Sequence, residues 1–332
     1  MLGQLIKKIV VLCFVVFITA CNQSEKQEIS RATNEVKLHY AKRFKVIKEL
    51  DYTLLQILGD KKSDKVTATF VLYKQEQPKL SSDFFYVKTP VKNVACMSSI
   101  YTAMFDKLNE MDRVKAIDNV DYYTNETIIA KVESHEIVEL SKGPVVDVEK
   151  TLVLNPDLFL SFGMGNPKKD LDAKLLQAKI PSAICLDHLE ETPLARAEWM
   201  KFVAYFIEKE NVADSVFSAI ETDYNELLRL TKALTERPTV LTEIKYGDAW
   251  YVPGGNSYIA NLIKDAGGSY FWEDEKQTGS IPLSLEMVYA KAKDCDVWIN
   301  LYNVNTKQEL AAYDERYKLF KAYKNSRLYN NY

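Results

Sequence analysis

The sequence predicts an α/β protein built as two lobes, each a parallel sheet flanked by helices, with a ligand cleft between the lobes. Three observations predict it. From residue 89 onward, short apolar runs of strand length alternate with stretches at helical spacing, the pattern of βαβ units in a parallel sheet. One helix-to-strand unit occurs twice, as VVDVEKTLVLNPDLFLSF at Val145–Phe162 and as LSLEMVYAKAKDCDVWIN at Leu283–Asn300, each with a glutamate near its start, Glu149 and Glu286. Between the copies, Val216, Phe217, Ile220, Tyr224, Leu227, Leu228 and Leu234 fall largely on one helical stripe, which predicts a single long helix joining the lobes.

Taken in order, the chain opens with MLGQLIKK and the short apolar run IVVLCFVVFITA, the charge and length of a signal h-region rather than of a membrane span. It ends at Ile18-Thr19-Ala20-Cys21, which resembles the bacterial lipobox; residues 1–21 are therefore expected to form a lipoprotein signal with Cys21 as the lipidated residue. Residues 22–35 are polar and predict a flexible tether. Residues 36–88 alternate apolar and polar side chains in FKVIKEL, YTLLQIL and VTATFVLY, predicting a β-rich N-terminal extension. Residues 89–212 are expected to form the first α/β lobe, 213–237 the connecting helix and 238–332 the second lobe. The end at RLYNNY offers no evident closing element, so the second lobe is expected to be short or C-terminally incomplete.

At 332 residues, 47% of them hydrophobic, the chain can bury cores for two domains. Lys and Arg number 43 against 46 Asp and Glu, a net charge of −3, and no basic block exists; nucleic acid is not an expected partner. Cys96, Cys185 and Cys295 lie apart in apolar settings and read as buried free thiols rather than a disulfide framework. The three histidines, His39, His135 and His188, are scattered, so no metal site and no resident cofactor is expected. No G-x-S-x-G elbow is present, and the chain is not expected to be an enzyme; an exported hydrolase is the least favoured reading.

Several stretches together resemble the substrate-binding proteins of ABC importers for vitamin B12 and iron chelates. VDVEKTLVLNPDLFL resembles that family's glutamate followed by L-x-P-D-L-V. LLQAKIPSAICLD resembles its L-x-x-x-G-I-P-V segment, with Lys179 where glycine is common. YVPGGNSYIANLIKDAGGSYFW resembles the lobe-two helix ending in A-G-G, and LSLEMVYAKAKDCDVWI the second glutamate unit. The resemblance spans about residues 90–332 and leaves 36–88 unassigned. It implies a monomeric lipoprotein, anchored to a bacterial membrane and facing the periplasm, that carries a ferric siderophore-type complex or a corrinoid to a permease served by a cytoplasmic ATPase. Heme, and a non-transport receptor on the same scaffold, are the alternatives. It also implies that Glu149 and Glu286 each meet an arginine of the permease.

Ligands in α/β lobes gather at strand carboxyl ends. The expected ligand-binding residues are therefore Ser98, Tyr122, Tyr123, Gly163 and Met164 in the first lobe, and Lys245, Trp250, Tyr251, Trp272 and Tyr302 in the second. Aromatic side chains at strand ends suit a flat, bulky ligand. The single connecting helix predicts little relative motion of the lobes on binding.

Overall fold

The computed structural model describes residues 34–60, 65–141, 145–164 and 167–330. The signal segment, Cys21 and nearly all of the expected tether lie outside the described residues. So do Gly165 and Asn166.

The extension forms a four-stranded sheet in the order β1 (Phe44–Lys48), β2 (Tyr52–Asp60), β3 (Lys65–Tyr73), β4 (Phe85–Lys88). The first three strands are an antiparallel meander, and β4 joins β3 in parallel. Side chains alternate across a strand, so Phe44 and Val46, Leu55 and Ile57, and Phe70 and Leu72 point the same way and enter the core of the first lobe. They meet the helix Pro193–Ile207, where Phe44 packs edge-on to Trp199 at 5.0 Å and Phe70 to Phe206 at 5.4 Å. The sequence PLARAEWMKFVAYFI carries apolar residues all round its circumference, the mark of a helix buried on more than one side. Its buried Glu198 carboxylate accepts the backbone N–H groups of His39, Tyr40 and Ala41 at 3.0, 2.8 and 2.8 Å, with Lys201 at 3.4 Å. Burying an ionised carboxylate requires such donors.

The first lobe is a five-stranded sheet with the order β7-β6-β5-β8-β9, all parallel: β5 (Val94–Cys96), β6 (Val114–Ile117), β7 (Val138–Glu139), β8 (Leu158–Phe162) and β9 (Ser182–Cys185). The chain steps outward from β5 to β7, then returns to the other side of β5 at β8. The second lobe repeats this logic in a parallel sheet of order β13-β10-β15-β16, from β10 (Thr239–Thr242), β13 (Ser269–Tyr270), β15 (Val297–Ile299) and β16 (Leu328–Tyr329). A small antiparallel sheet of β11 (Lys245–Tyr246), β12 (Ala249–Pro253) and β14 (Ser280–Leu283) follows the end of β10.

Where the sequence shows no closing element, the structure has a short strand. The helix Lys307–Tyr313, a 3-10 turn at Glu315–Leu319 and the helix Lys321–Lys324 lead into β16, which pairs Leu328 with Trp298 and Tyr329 with Ile299. A two-residue strand has no periodicity to read.

The connecting helix spans Glu210–Lys232 and, at 1.5 Å per residue, is about 35 Å long. Near its start Ala213 and Phe217 enter the first lobe's core. Near its end Tyr224 donates to the Asp265 carboxylate and Thr231 to the Asp265 carbonyl, both at 2.6 Å, fastening it to the second lobe. It begins one elbow after Pro193–Ile207 ends. At that elbow Glu208 adopts a left-handed conformation (φ 58°, ψ 42°), and its carboxylate accepts from Lys74 Nζ and Thr89 Oγ1, both at 2.9 Å. Cys96, Cys185 and Cys295 are free and buried.

Candidate functional site

Each parallel sheet has one point where strand order reverses, and ligands in open α/β sheets bind beyond the strand carboxyl ends at that point. In the first lobe it lies between β5 and β8; in the second, between β10 and β15.

At the first, Phe162 closes β8 and is 57% exposed, and Met164 just beyond is 72% exposed. A Cβ at Gly163 between them would lie 2.5 Å from Asp170 Cγ, so a larger residue there would displace the Asp170 side chain. His188, past the end of β9, packs edge-on to Phe162 at 6.4 Å. Burial holds its imidazole pKa below the ordinary value, so the ring is neutral near pH 7, and its Nδ1 is buried without a hydrogen-bond partner among the described residues. Ser98 caps the helix Ser99–Lys107, its hydroxyl accepting from Ile100 N at 3.3 Å. Tyr122 is exposed at the end of β6. Its neighbour Tyr123 is buried and donates to Asp118 at 2.8 Å, so it serves the lobe's interior rather than presenting its ring, a correction to its expected role. Burial pushes the Asp118 carboxyl up, and this hydrogen bond works against that shift.

At the second reversal three non-glycine residues take left-handed backbone: Glu243 (φ 66°) after β10, and Asn300 (φ 54°) and Tyr302 (φ 59°) after β15. Such conformations cost free energy and collect where the chain must present particular groups. Tyr302 is 65% exposed. Glu243 is held by its carbonyl, which accepts from Trp298 Nε1 at 2.8 Å; burial raises its carboxyl pKa. Lys245 is half-buried and pairs with Asp314 at 3.8 Å.

Two expected ligand contacts are corrected. Trp250 is 0% exposed: it stacks on Trp298 at 5.5 Å and donates to the Thr242 carbonyl at 3.1 Å, pinning the small sheet over the end of β10. Strand alternation decides the matter, because an inward Trp250 turns Tyr251 outward, where it is 46% exposed. Trp272 is likewise buried, against Tyr270 and Phe271, with Lys291 above its ring at 5.4 Å.

Sequence reasoning missed a link between the lobes. The Arg196 guanidinium lies 4.2 Å from the ring of Tyr258, at the start of the second-lobe helix Tyr258–Asp265, and 4.0 Å from Asp187, which neighbours His188. Asn261 on the same helix donates to the Glu191 carbonyl at 3.0 Å. A single arginine inside an apolar helix gives no sequence signal for this. The Asp187 carboxyl is buried and pushed up, with Tyr101 donating to it at 3.3 Å.

Glu149 and Glu286 are both the second residue of a helix, Val148–Leu154 capped by Asp147 and Leu285–Ala292 capped by Ser284. Both are exposed, and each already has a cation: Lys174 at 2.5 Å from Glu149, Arg316 at 2.7 Å from Glu286. Its own backbone N–H, then the Ser284 hydroxyl and Arg316, hold the Glu286 carboxyl below its ordinary value. Among the described residues no group of three or more His, Cys, Asp or Glu is placed to hold a metal ion, and no helix is long and apolar enough to cross a membrane.

Residues 94–330 match the sequence profile described as periplasmic binding protein. The chain belongs to this family. As a periplasmic binding protein it has an uncharacterized lipoprotein of Methanocaldococcus jannaschii as a relative, 28% identical over 283 residues, 80% of this chain and 67% of that one. Its fold is that of the periplasmic heme-binding protein RhuT from Roseiflexus sp. RS-1 in apo form, with a TM-score of 0.57 at 20% identity over 72% of this chain and 89% of that one. The periplasmic vitamin B12 binding protein BtuF of Vibrio cholerae is similar too, at TM-score 0.54 and 15% identity, covering 73% and 88%.

Proposed function

We propose that this periplasmic binding protein is the lipid-anchored receptor of an ABC importer. It captures a bulky metal chelate, a ferric siderophore-type complex or a corrinoid, and presents it to the membrane permease. The observation that carries this reading is the pair of exposed candidate surfaces at the two strand-order reversals: Phe162 and Met164 with Tyr122 on one lobe, Tyr251 and Tyr302 with Lys245 on the other. Exposed aromatic and thioether groups around a few polar ones suit a large, partly apolar ligand. Fold relatives named for vitamin B12 and heme support the cargo class, and a relative named as a lipoprotein supports the anchor at Cys21.

Glu149 and Glu286 are the proposed permease contacts. Carboxylate–guanidinium pairs are directional, and charge complementarity sets docking register. Each glutamate would exchange its present surface partner for a permease arginine, and exposed ion pairs contribute only about 0–1 kcal/mol, so the exchange is inexpensive. The chain acts as a monomer in this reading, without catalysis.

All four tryptophans are buried, so calorimetry is a better probe of cargo than tryptophan quenching. Titration with a corrinoid, ferric siderophores and heme should give one saturating class. Reversing both charges, Glu149→Lys with Glu286→Lys, should abolish uptake and leave chelate affinity unchanged. Uptake that survives the double reversal favours a receptor outside transport.

Heme is a second reading, favoured by one observation: the neutral His188 imidazole beside exposed Phe162. A Soret shift on heme binding that disappears in His188→Ala would support it. A shift indifferent to that substitution removes its basis.

A further inference from the structure

Where the extension meets the elbow there is a cavity of about 640 Å³, away from both strand-order reversals. Most of its lining precedes residue 94 and so lies outside the family segment. One wall is the turn between β1 and β2, with Glu49 and Asp51. A second is the end of β3 and the residues after it, with Lys74 and Glu76. The third is the elbow itself, with Tyr205, Glu208 and Glu210. A cavity of this volume is large enough for a small molecule.

The lining is charged in one sense. It carries those five carboxylates and one ammonium, Lys74, which already pairs with Glu208 at 2.9 Å. Among the described residues Glu49, Asp51, Glu76 and Glu210 have no ion-pair partner. A concavity of one sign focuses the field and draws in the opposite charge.

The Tyr205 hydroxyl is an independent sign of a ligand. Tyr205 is 7% exposed and lines the cavity, yet its hydroxyl makes no hydrogen bond among the described residues and is not sealed inside the protein as His188 Nδ1 is. Polar groups of buried residues are normally bonded, and an unmet one costs free energy. Burial first, then the charges of Glu210 and Asp214, push this hydroxyl up to about 12, so it stays protonated. The Lys48 ammonium stands 5.6 Å from the centre of the same ring, so its π face already attracts a cation. The carboxylates are spread along the walls: among the described residues no group of three or more His, Cys, Asp or Glu is placed to hold a metal ion. An extended cation with several charges fits this spacing better than a compact divalent ion.

We propose that this cavity binds a linear polyamine, its ammonium groups meeting Asp51, Glu76 and Glu210 and one of them donating to the Tyr205 hydroxyl oxygen. The methylene spacers lie against the rings of Tyr52 and Tyr73, which also line the cavity. This site does not depend on the cargo reading, which stands whether or not the polyamine binds.

The test is calorimetric titration of the full-length chain with spermine at constant ionic strength, with circular dichroism to check that each variant is folded. The wild-type chain is expected to bind one spermine saturably, and an equal concentration of magnesium chloride should not displace it. Asp51→Asn with Glu210→Gln should weaken spermine about tenfold or more, and Tyr205→Phe about threefold. Asp274→Asn with Glu275→Gln removes the same charge from an exposed part of the second lobe and should change affinity less than about twofold. No saturable binding by the wild-type chain, displacement by magnesium, equal loss in the two double variants, or affinity indifferent to either cavity variant overturns the inference.

Discussion

The two lobes share a strand-order plan and a glutamate helix, but they are secured by different chemistry. The first is held from outside by a sheet that belongs to no family segment, and its latch is polar: Glu198 and Glu190 together accept five backbone N–H groups from residues 39–43. The second is held from inside, by Trp250, Trp298, Tyr317 and Phe320 packed ring on ring. A repeated architecture can thus be stabilised by directional hydrogen bonds in one copy and by close-packed aromatic surface in the other. The two should fail under different perturbations.

The largest effect should come from the aromatic cluster. Trp250→Ala removes a fully buried indole and should cost about 3–5 kcal/mol in denaturant unfolding, the range for large-to-small core changes. Tyr251→Ala, one residue along and outward, should cost roughly 0.5 kcal/mol or less and instead weaken chelate binding. If the two variants lose similar stability, the inward–outward assignment on β12 is wrong.

In the first lobe, Glu198→Ala strands the N–H donors of His39, Tyr40 and Ala41, the last of them buried, and a buried donor left unsatisfied costs about 1–3 kcal/mol. It should destabilise the chain by roughly 3 kcal/mol and expose the extension to proteolysis before the rest. Cleavage at an unchanged rate would mean that the apolar contacts of Phe44 and Phe70 hold the sheet alone.

The third contrast is with pH. Asp296 ties the starts of β10 and β15 to the C-terminal segment, accepting from Thr239 N, Thr239 Oγ1 and Lys321 Nζ at 2.9, 2.8 and 2.7 Å. The Lys321 hydrogen bond first, then those from Thr239, depress its carboxyl to about 2. A depressed folded-state value stabilises above the unfolded value, about 3.9, and that contribution is lost as pH falls through about 2. Asp296→Asn should therefore be about 1–2 kcal/mol less stable than wild type near neutrality, with the gap closing between pH 4 and 2. A constant gap across that window would assign the loss to packing.

The smallest effects belong to the glutamate helices. Arg316 is forked between Glu286 and Asp314, whereas Lys174 holds Glu149 as a single point charge. Lys174→Ala and Arg316→Ala should each leave stability within about 0.5 kcal/mol and speed docking to the permease, Arg316→Ala more than Lys174→Ala. Slower docking in both would show that these cations pre-orient the carboxylates.

Much of this was legible in the sequence, and the gaps have physical causes. The parallel strands are short continuous apolar runs, and the glutamate units carry helix caps and strand cores in order, so the fold could be read. The strand character of 36–88 was readable too, but its destination was not: a strand's outward face says nothing about which helix will cover it. Trp250 and Tyr251 illustrate the limit within one strand. Alternation says that they face opposite ways, but only tertiary packing says which is inside. Arg196 is a single charge inside an apolar helix, and nothing local distinguishes an arginine that reaches the other lobe from a solvated one. Tyr123 looked like a twin of Tyr122 until Asp118 claimed its hydroxyl.

The elbow at Glu208 has a mechanical consequence. The helix leaving it is about 35 Å long, so each degree of bend at this joint displaces the far end by about 0.6 Å. The carboxylate at the joint is gripped by Lys74 and Thr89, from the end of the extension sheet and the segment that follows it. The extension therefore sits at the fulcrum of the lever that carries the second lobe, where a small local change in stiffness has its greatest leverage on the distance across the cleft.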